Sequence, residues 1–379
     1  PTILIYGHYD VQPPEPLEEW HTPPFEPTVI GDDLFARGAA DDKGQLYIHI
    51  KALESLRATD TPLPVNVKCI FEGEEESGSE SLTPFIRDHA DLLAADVAVI
   101  SDTHILGPDT PSIVYGLRGL TYLEVEVVGP DHDLHSGTYG GAVLNPINAL
   151  CRMIARLQDE DGHIAIPGFY DSVRPLTEEE REELARVPFD REAWLHEAGV
   201  TTDWGEPEYT IVERTSARPT LDVNGIWGGY IRPGAKTVLP SKAHAKISMR
   251  LVPDQRPEEI ARLTEEYLTA IAPPAVRVTV HALHGGDGIV LDRHSPALEA
   301  ASRAYEMAFG KRPVFTREGG SIPVVATFKR VLGIDSVLMG FGLPDDRIHA
   351  PNEKFHLPNF YRGIETVLYF LDFYGGTHK

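Results

Sequence analysis

The chain of 379 residues carries 58 acidic and 34 basic side chains, which gives a formal net charge of -24 at pH 7. Its length accommodates two ordinary domains, and its acidic surface repels phosphate backbones and anionic lipid, which argues against nucleic acid and membranes as partners. No apolar stretch approaches the roughly eighteen residues of a membrane span, no signal-peptide pattern is present, and the two cysteines form no CxxC pair, which together favour a cytoplasmic location.

The first part of the chain alternates short apolar strands with helices. The stretches TILIY, VNVKCIF and DVAVIS predict strands, and GQLYIHIKALESL and SLTPFIRDHADLL predict the helices between them. This alternation is typical of the α/β class, in which a mostly parallel sheet has helices on both faces. We assign residues 1–116 to the first part of such a domain.

The pattern changes after residue 116. The stretches LTYLEVEVV and HAKISMRLV alternate apolar and polar residues as half-buried antiparallel strands do, and NPINALCRMIARLQ and PEEIARLTEEYLTAI predict amphipathic helices. The stretch from about Gly168 to Asp203 has no clear period, and we predict an excursion over the surface. Because the α/β pattern returns after HGGDG, we predict an α+β domain over residues 117–286, inserted into a first domain that resumes over residues 287–379.

Residue types that bind metals follow the predicted strands. His8 and Asp10 follow the first strand in GHYDVQP, where side chains two apart share a face of the extended chain. The acidic run EGEEESGS follows the second strand, Asp102 the third and His349 a late strand, while Asp41 stands at the entry to the first helix. Because open α/β sheets bind ligands at the carboxyl ends of their strands, we expect these side chains to converge.

Each of these motifs has a simpler explanation when taken alone. An acidic run is usually a solvated face, a lone histidine is more often a hydrogen-bonded structural residue, and Asp41 is explained equally well as a helix cap. Their coincidence at one edge of one sheet favours a site. Two histidines with three or four carboxylates form a ligand set that Zn²⁺ or Mn²⁺ accepts, and a carboxylate shared between two ions suits a two-metal hydrolytic centre.

In their order and spacing, these motifs resemble those of the M20 metallopeptidases, in particular the branch of cytosolic nonspecific dipeptidase and carnosinase. The resemblance covers essentially the whole chain and rests on GHYDVQP, ARGAADDKG, EEESGS, ISDT, GLRG, DLHSGTYGG, GAKTVLP, REGGSIP and HAPNE. It implies a catalytic domain in two parts, an inserted lid and dimerisation domain, and a homodimer. Family members carry several dozen residues before the equivalent of ILIYGHYD, and since this chain opens inside that apolar run, we expect that its beginning has been removed or left out.

The resemblance also implies a dinuclear centre that holds two divalent ions per chain, Zn²⁺ in the first instance or Mn²⁺. It divides five ligands between the ions: His8 and Asp102 on one, Glu76 and His349 on the other, and Asp41 bridging both. Glu75 is then the general base that moves the proton of the attacking water, and Asp10 orients His8 and raises its basicity. A cis peptide bond between Asp41 and Asp42 is implied as well.

Further positions match residues of the family that contact the substrate. His135 matches a histidine that reaches the neighbouring subunit's site and stabilises the oxyanion, so that the active site is completed in trans. Arg250 matches the residue that pairs with the substrate's terminal carboxylate, for which a planar bidentate donor is suited. By alternation alone it is an exposed strand residue. The remaining matched substrate contacts are Thr237, which is also presented across the dimer, His284, Glu318, Gly320 and Ser321.

These expectations together predict hydrolysis of the amide bond of dipeptides, or of other short substrates with a free C-terminal carboxylate. One alternative keeps the mechanism and changes the substrate to an N-acyl-amino acid. Another is a non-catalytic metal- or peptide-binding protein on the same fold, because a fold alone does not imply activity. Glu75 argues against the second alternative, since a binding protein has no need of a general base.

Overall fold

The computed structural model describes residues 1–320 and 322–376 and has a mixed α/β architecture. In chain order, the strands are β1 Thr2–His8, β2 Thr28–Ile30, β3 Asp33–Phe35, β4 Asn66–Glu72, β5 Val97–Ile100, β6 Ser112–Leu117, β7 Gly119–Val128, β8 Leu134–His135, β9 Thr220–Gly228, β10 Val238–Leu239, β11 Lys242–Leu251, β12 Arg277–Gly286, β13 Ile289–Val290, β14 Val314–Glu318, β15 Asp335–Leu338 and β16 Lys354–His356. The helices are α1 Gly44–Ala58, α2 Leu82–Asp88, α3 Ala90–Leu93, α4 Ser136–Tyr139, α5 Pro146–Ile154, α6 Glu178–Leu184, α7 Arg191–Ala198, α8 Ile211–Ser216, α9 Pro257–Ile271, α10 Pro296–Phe309, α11 Pro323–Thr327 and α12 Leu357–Gly376.

The larger sheet has the strand order β13-β6-β15-β5-β1-β4, and β14 also pairs with β6. Strands β4, β1, β5 and β15 run parallel to one another, as the prediction of a mostly parallel sheet requires, while β15 meets β6 in antiparallel orientation. Successive residues Ile3, Leu4, Ile5 and Tyr6 of the central strand β1 are all buried. Because successive strand residues point to opposite faces, this burial means that both faces of the sheet are covered.

The second sheet is antiparallel and has the order β12-β7-β11-β9. Every second residue of β7 is buried, among them Leu123, Val125 and Val127, and these residues share a separate apolar core with α5 and α9. At its start, β7 passes so close to the returning chain that a side chain on Gly119 would lie 2.5 Å from the carbonyl oxygen of Gly286. Only glycine fits there. The exact domain boundaries at 116/117 and 286/287 stay a prediction.

The segment predicted as an excursion carries two short helices, α6 and α7, that the sequence pattern did not indicate. Each buries a single leucine, Leu184 or Leu195, so no apolar period arises. Their starts are fixed by side-chain caps instead: Thr177 and Glu180 form a reciprocal capping box, and Asp190 accepts hydrogen bonds from two backbone N–H groups of α7. Within the described residues, no helix has the length and hydropathy to cross a membrane.

Candidate active site

The predicted metal-binding residues meet at the carboxyl edge of the larger sheet. His8 ends β1, Glu76 lies in a turn that follows β4, and Asp102 follows β5. Asp41 lies in an irregular turn directly before α1, and His349 lies in the connection between β15 and β16. Residues far apart in the chain are therefore brought to one point because parallel strands end at the same edge.

The five side chains form two groups of three that share Asp41. His8, Asp41 and Asp102 make one group and Asp41, Glu76 and His349 the other, with the ligand atoms of each group within 4.8 Å of one another. Oδ1 of Asp41 lies 3.0 Å from Nε2 of His8, and its Oδ2 lies 2.9 Å from Nε2 of His349. Each oxygen of the shared carboxylate thus faces a different histidine, and this mixed N/O donor set fits two divalent ions. The peptide bond between Asp41 and Asp42 is cis, as expected.

The cluster concentrates negative charge at one edge of the sheet. Burial, and next the charge of Asp41, raise the pKa of Asp102 well above its usual range. Burial opposes protonation of His8, but the hydrogen bond to Asp41 and the nearby carboxylates raise its pKa to about 10. Hydrogen bonds to Asp41 and Glu76 raise the pKa of His349 to about 10 as well. The carboxylates of the cluster thus favour positive charge at both histidines.

Glu75 stands beside the ligands without belonging to either group. Within residues 1–320 and 322–376, its carboxylate accepts no hydrogen bond, whereas the neighbouring Glu76 faces His349 at 3.3 Å. Burial raises the pKa of the Glu75 carboxyl, and the charge of His8 acts in the opposite direction. A partly buried carboxylate that is not engaged as a ligand is chemically able to accept a proton from water.

Asp10 connects the two groups of ligands from behind. Its Oδ1 lies 3.4 Å from Nδ1 of His8, and its Oδ2 accepts a hydrogen bond of 3.0 Å from the backbone N–H of Glu76. Gln12 adds a contact that the sequence analysis missed, because its side-chain amide donates to Oε2 of Glu76 at 2.8 Å. The glutamine lies inside the GHYDVQP motif, two residues beyond Asp10, so the same alternation that paired His8 with Asp10 was the available signal.

Four of the predicted substrate contacts lie on β8, beside β10, and on the second sheet, and they are not bonded to this cluster in the described part of the chain. His135 is exposed on β8, next to Thr237, whose carbonyl oxygen accepts from the N–H of Ser136 at 3.1 Å. Arg250 is half-buried on β11, and His284 stacks on Tyr122 with ring centroids 5.1 Å apart. In the described part of the chain, no hydrogen bond or ion pair joins these four predicted contacts to a candidate metal ligand.

Glu318 is the predicted substrate contact that borders the cluster. Together with Asp41 and Asp102 it lines a cavity of about 440 Å³, and its Oε1 lies 3.6 Å from Nδ1 of His104. Burial raises the pKa of the Glu318 carboxyl. Gly320 is exposed two residues further on, and the predicted contact at Ser321 lies outside the described residues.

The fold and this cluster of carboxylates and histidines define a metal-dependent hydrolase. Residues 4–372 match the peptidase family M20/M25/M40, and the chain belongs to that family. It is a metallopeptidase, and metallopeptidases of this family bind divalent metal ions. The predicted family and enzyme class are therefore confirmed.

Named relatives cover nearly all of the chain. The Cys-Gly metallodipeptidase DUG1 of Candida albicans is 36% identical over 384 residues, which span 99% of this chain and 79% of the relative. The Beta-Ala-His dipeptidase of Homo sapiens is 34% identical over 374 residues, 97% of this chain and 74% of the relative. The solved structure of the M20 family metallo-carboxypeptidase Sso-CP2 from Sulfolobus solfataricus is 34% identical, with a TM-score of 0.86 over 99% of this chain and 85% of the other.

Proposed function

We propose that the chain is a dipeptidase that holds two divalent ions, Zn²⁺ or Mn²⁺, and uses Glu75 as general base. The observation that carries the proposal is the pair of ligand groups that share Asp41, with the unengaged Glu75 beside them. Two of the relatives named above are dipeptidases, and both share about a third of their residues with this chain. Dipeptides are accordingly the first substrates to test.

Two ions at this site would polarise the scissile carbonyl and acidify the attacking water. Glu75 takes the proton of that water and passes it to the leaving amine. A carboxylate that does not coordinate a metal ion is able to carry out both transfers. The charge of Asp10, 3.4 Å from Nδ1 of His8, favours a proton on that nitrogen and leaves Nε2 facing Asp41 and the first ion position. Asp41 holds the two positions at a fixed separation, because its two oxygens face opposite histidines.

We further infer that the substrate's C-terminal carboxylate is bound by Arg250 and that the site is completed by a second copy of the chain. This arrangement is supported by the lack of any hydrogen bond or ion pair between His135 or Arg250 and a candidate ligand among the described residues. Strand β9 supports it too, since it ends the second sheet and exposes the large apolar side chains Val223, Ile226 and Trp227. An exposed apolar edge strand is a surface that another chain can cover.

The experiment is hydrolysis of a substrate panel by the ion-free enzyme reconstituted separately with Zn²⁺ and Mn²⁺. The panel contains Cys-Gly, β-Ala-His and other dipeptides, N-acetyl-amino acids, and tripeptides with a free C-terminus. Preference for dipeptides supports the proposal. Preference for N-acetyl-amino acids identifies the deacylase alternative, and release of the last residue from tripeptides identifies a carboxypeptidase, the class of the Sulfolobus structure. Binding of ions without hydrolysis of any member identifies a non-catalytic protein.

A further inference from the structure

A buried ion pair between Arg37 and Glu353 lies behind the candidate metal ligands. Nη1 of Arg37 donates to Oε2 of Glu353 at 2.8 Å, and each side chain is only 1% exposed. The two residues are 316 positions apart in the chain. Glu353 closes the HAPNE motif that contains His349, and Arg37 opens the RGAAD turn that leads to Asp41.

Glu353 uses both carboxylate oxygens to hold the turn that ends in Asp41. Its Oε2 accepts from the backbone N–H of Gly38 at 2.9 Å, in addition to the bond from Arg37. Its Oε1 accepts from the N–H of Ala40 at 2.9 Å and from the N–H of Asp41 itself at 3.1 Å. The backbone of the shared metal ligand is therefore bonded directly to a side chain from the His349 segment.

Arg37 extends the same network to two further segments. Its Nη2 donates to the carbonyl oxygen of Ala350 at 3.2 Å, next to His349 in the chain, and to the carbonyl oxygen of Pro13 at 3.3 Å. Pro13 follows the GHYDVQ stretch that carries His8. One guanidinium thus bonds the segments that follow His8 and His349, and its carboxylate partner bonds the segment of Asp41.

The energetics of such a pair indicate what it contributes. Burying two charges carries a desolvation penalty of several kcal/mol per ion, so a buried pair is weak evidence for stability. Its five bonds to the backbone instead fix relative positions, and the distances they control are those between Asp41 and the two histidines. We propose that Arg37 and Glu353 are positioning residues that hold the His8, Asp41 and His349 segments at the spacing that two ions require. This inference rests on the proposed dinuclear centre.

A second buried arginine–glutamate pair, which precedes β9 in the chain, offers a matched control. Arg218 donates to both oxygens of Glu206 at 2.6 and 2.8 Å, and the residues are 8% and 4% exposed. In the described part of the chain, neither side chain of this pair bonds to a candidate metal ligand or to a neighbour of one in the chain. Removing its charge therefore imposes a similar perturbation without touching the proposed function of the Arg37–Glu353 pair.

The test compares Glu353→Gln and Arg37→Lys with the control Glu206→Gln. Glutamine keeps the size of Glu353 but turns one accepting oxygen into a donor that faces backbone N–H groups. Lysine keeps the charge partner of Glu353 but cannot reach three acceptors at once. Ion-free full-length protein is titrated with Zn²⁺ against a competing chromophoric chelator, and circular dichroism and thermal unfolding of the same ion-free samples report the fold.

The expected result is a 10–100-fold weaker affinity for at least one ion in both variants, the range found when residues behind metal ligands are changed. The fold is retained, and Glu206→Gln binds Zn²⁺ as the wild type does, whatever its melting temperature. Wild-type affinity in either folded variant overturns the proposal. Unfolding of both variants while the control stays folded also overturns it, because the pair then maintains the fold and not the spacing of the ligands. If the wild type binds no Zn²⁺, the dinuclear centre itself fails and this inference fails with it.

Discussion

Replacing Glu75 and Glu76 one at a time by glutamine separates proton transfer from metal binding at two adjacent positions. Glu75 lies outside both ligand groups, so Glu75→Gln should retain about two ions per chain. The amide cannot accept the proton of water, and loss of general-base catalysis typically lowers kcat by about 10²–10⁴-fold. This loss corresponds to roughly 3–5 kcal/mol of transition-state stabilisation at 1.36 kcal/mol per tenfold.

Glu76→Gln should instead lower the metal content. Glu76 is one of three candidate ligands in its group, and its Oε2 lies 3.3 Å from Nε2 of His349. The second ion would keep two charged or basic protein ligands, so its occupancy should fall while the first ion stays bound. The side chain of Gln12, which donates to Oε2 of Glu76, is unchanged in this variant. Its amide is neutral and does not replace the lost carboxylate as an anionic ligand.

The assay pairs elemental analysis of dialysed protein with kcat for a dipeptide at saturating metal. Loss of an ion from Glu75→Gln would refute its assignment as a base that is not a ligand. Loss of an ion from Glu75→Gln with retention of both in Glu76→Gln would show that the roles of Glu75 and Glu76 are exchanged, and equal retention in the two variants would show that Glu76 is not a required ligand. The neighbouring Glu74, whose carboxylate accepts hydrogen bonds from Ser81, supplies a control. Its substitution should change neither the metal content nor kcat.

Three further outcomes are expected. If Arg250 anchors the substrate's carboxylate, Arg250→Lys should raise KM roughly 10–100-fold with kcat little changed, because a bidentate charged contact contributes about 1.5–3 kcal/mol. Steady-state kinetics with amidated and free dipeptides checks this prediction. Treatment with a chelator should abolish activity and lower the free energy of unfolding, with about 2.7 kcal/mol regained when free Zn²⁺ reaches 100 times its dissociation constant. Burial lowers the pKa of His49 to about 4, below its unfolded value of 6.5, so the folded chain keeps this histidine neutral. The free energy of unfolding should therefore fall by about 3 kcal/mol as the pH drops from 6.5 through 4, because only the unfolded chain takes up the proton in that range. Urea titration should show a smaller fall in the variant His49→Gln.

The sequence was informative where chemistry follows regular structure. Apolar runs of about five residues predicted β1, β4 and β5, and the residues that follow them in the chain supplied His8, Glu76 and Asp102. This works because a parallel sheet brings all its carboxyl ends to one edge, so the order of the strands in the sheet need not be known.

Interactions between distant segments were not predictable in the same way. The bond from Arg37 to Glu353 spans 316 positions and depends on the packed positions of two irregular turns, which have no periodic pattern. The helices α6 and α7 were missed because each buries one leucine, and their capping residues alone do not distinguish a helix start from a turn. Long-range polar contacts and short capped helices thus mark the limit of inference from spacing.

A mixing experiment tests whether His135 acts on the active site of a partner subunit. In the proposed dimer, the His135→Ala and Glu75→Gln variants should each be nearly inactive, for different reasons. When subunits exchange, a hybrid dimer has one site that lacks both groups and one site that takes Glu75 from one chain and His135 from the other. With random exchange half of the dimers are hybrids and half of their sites are intact, so activity should recover toward roughly a quarter of wild type for independent sites in a two-fold dimer.

The position of His135 in the single chain makes this experiment decisive. His135 is exposed, its Nδ1 is 3.4 Å from the hydroxyl of Thr138 in the following helix α4, and among the described residues no hydrogen bond or ion pair joins it to a candidate ligand. If a closing motion of the segment that carries β8 delivered His135 to the active site of its own subunit, each hybrid site would lack either Glu75 or His135. Mixing would then restore no activity. Exchange confirmed by native mass spectrometry with activity no higher than the sum of the two parents would therefore refute catalysis in trans. Recovery of activity would require that a partner chain supplies His135, because no single chain in the mixture carries both groups.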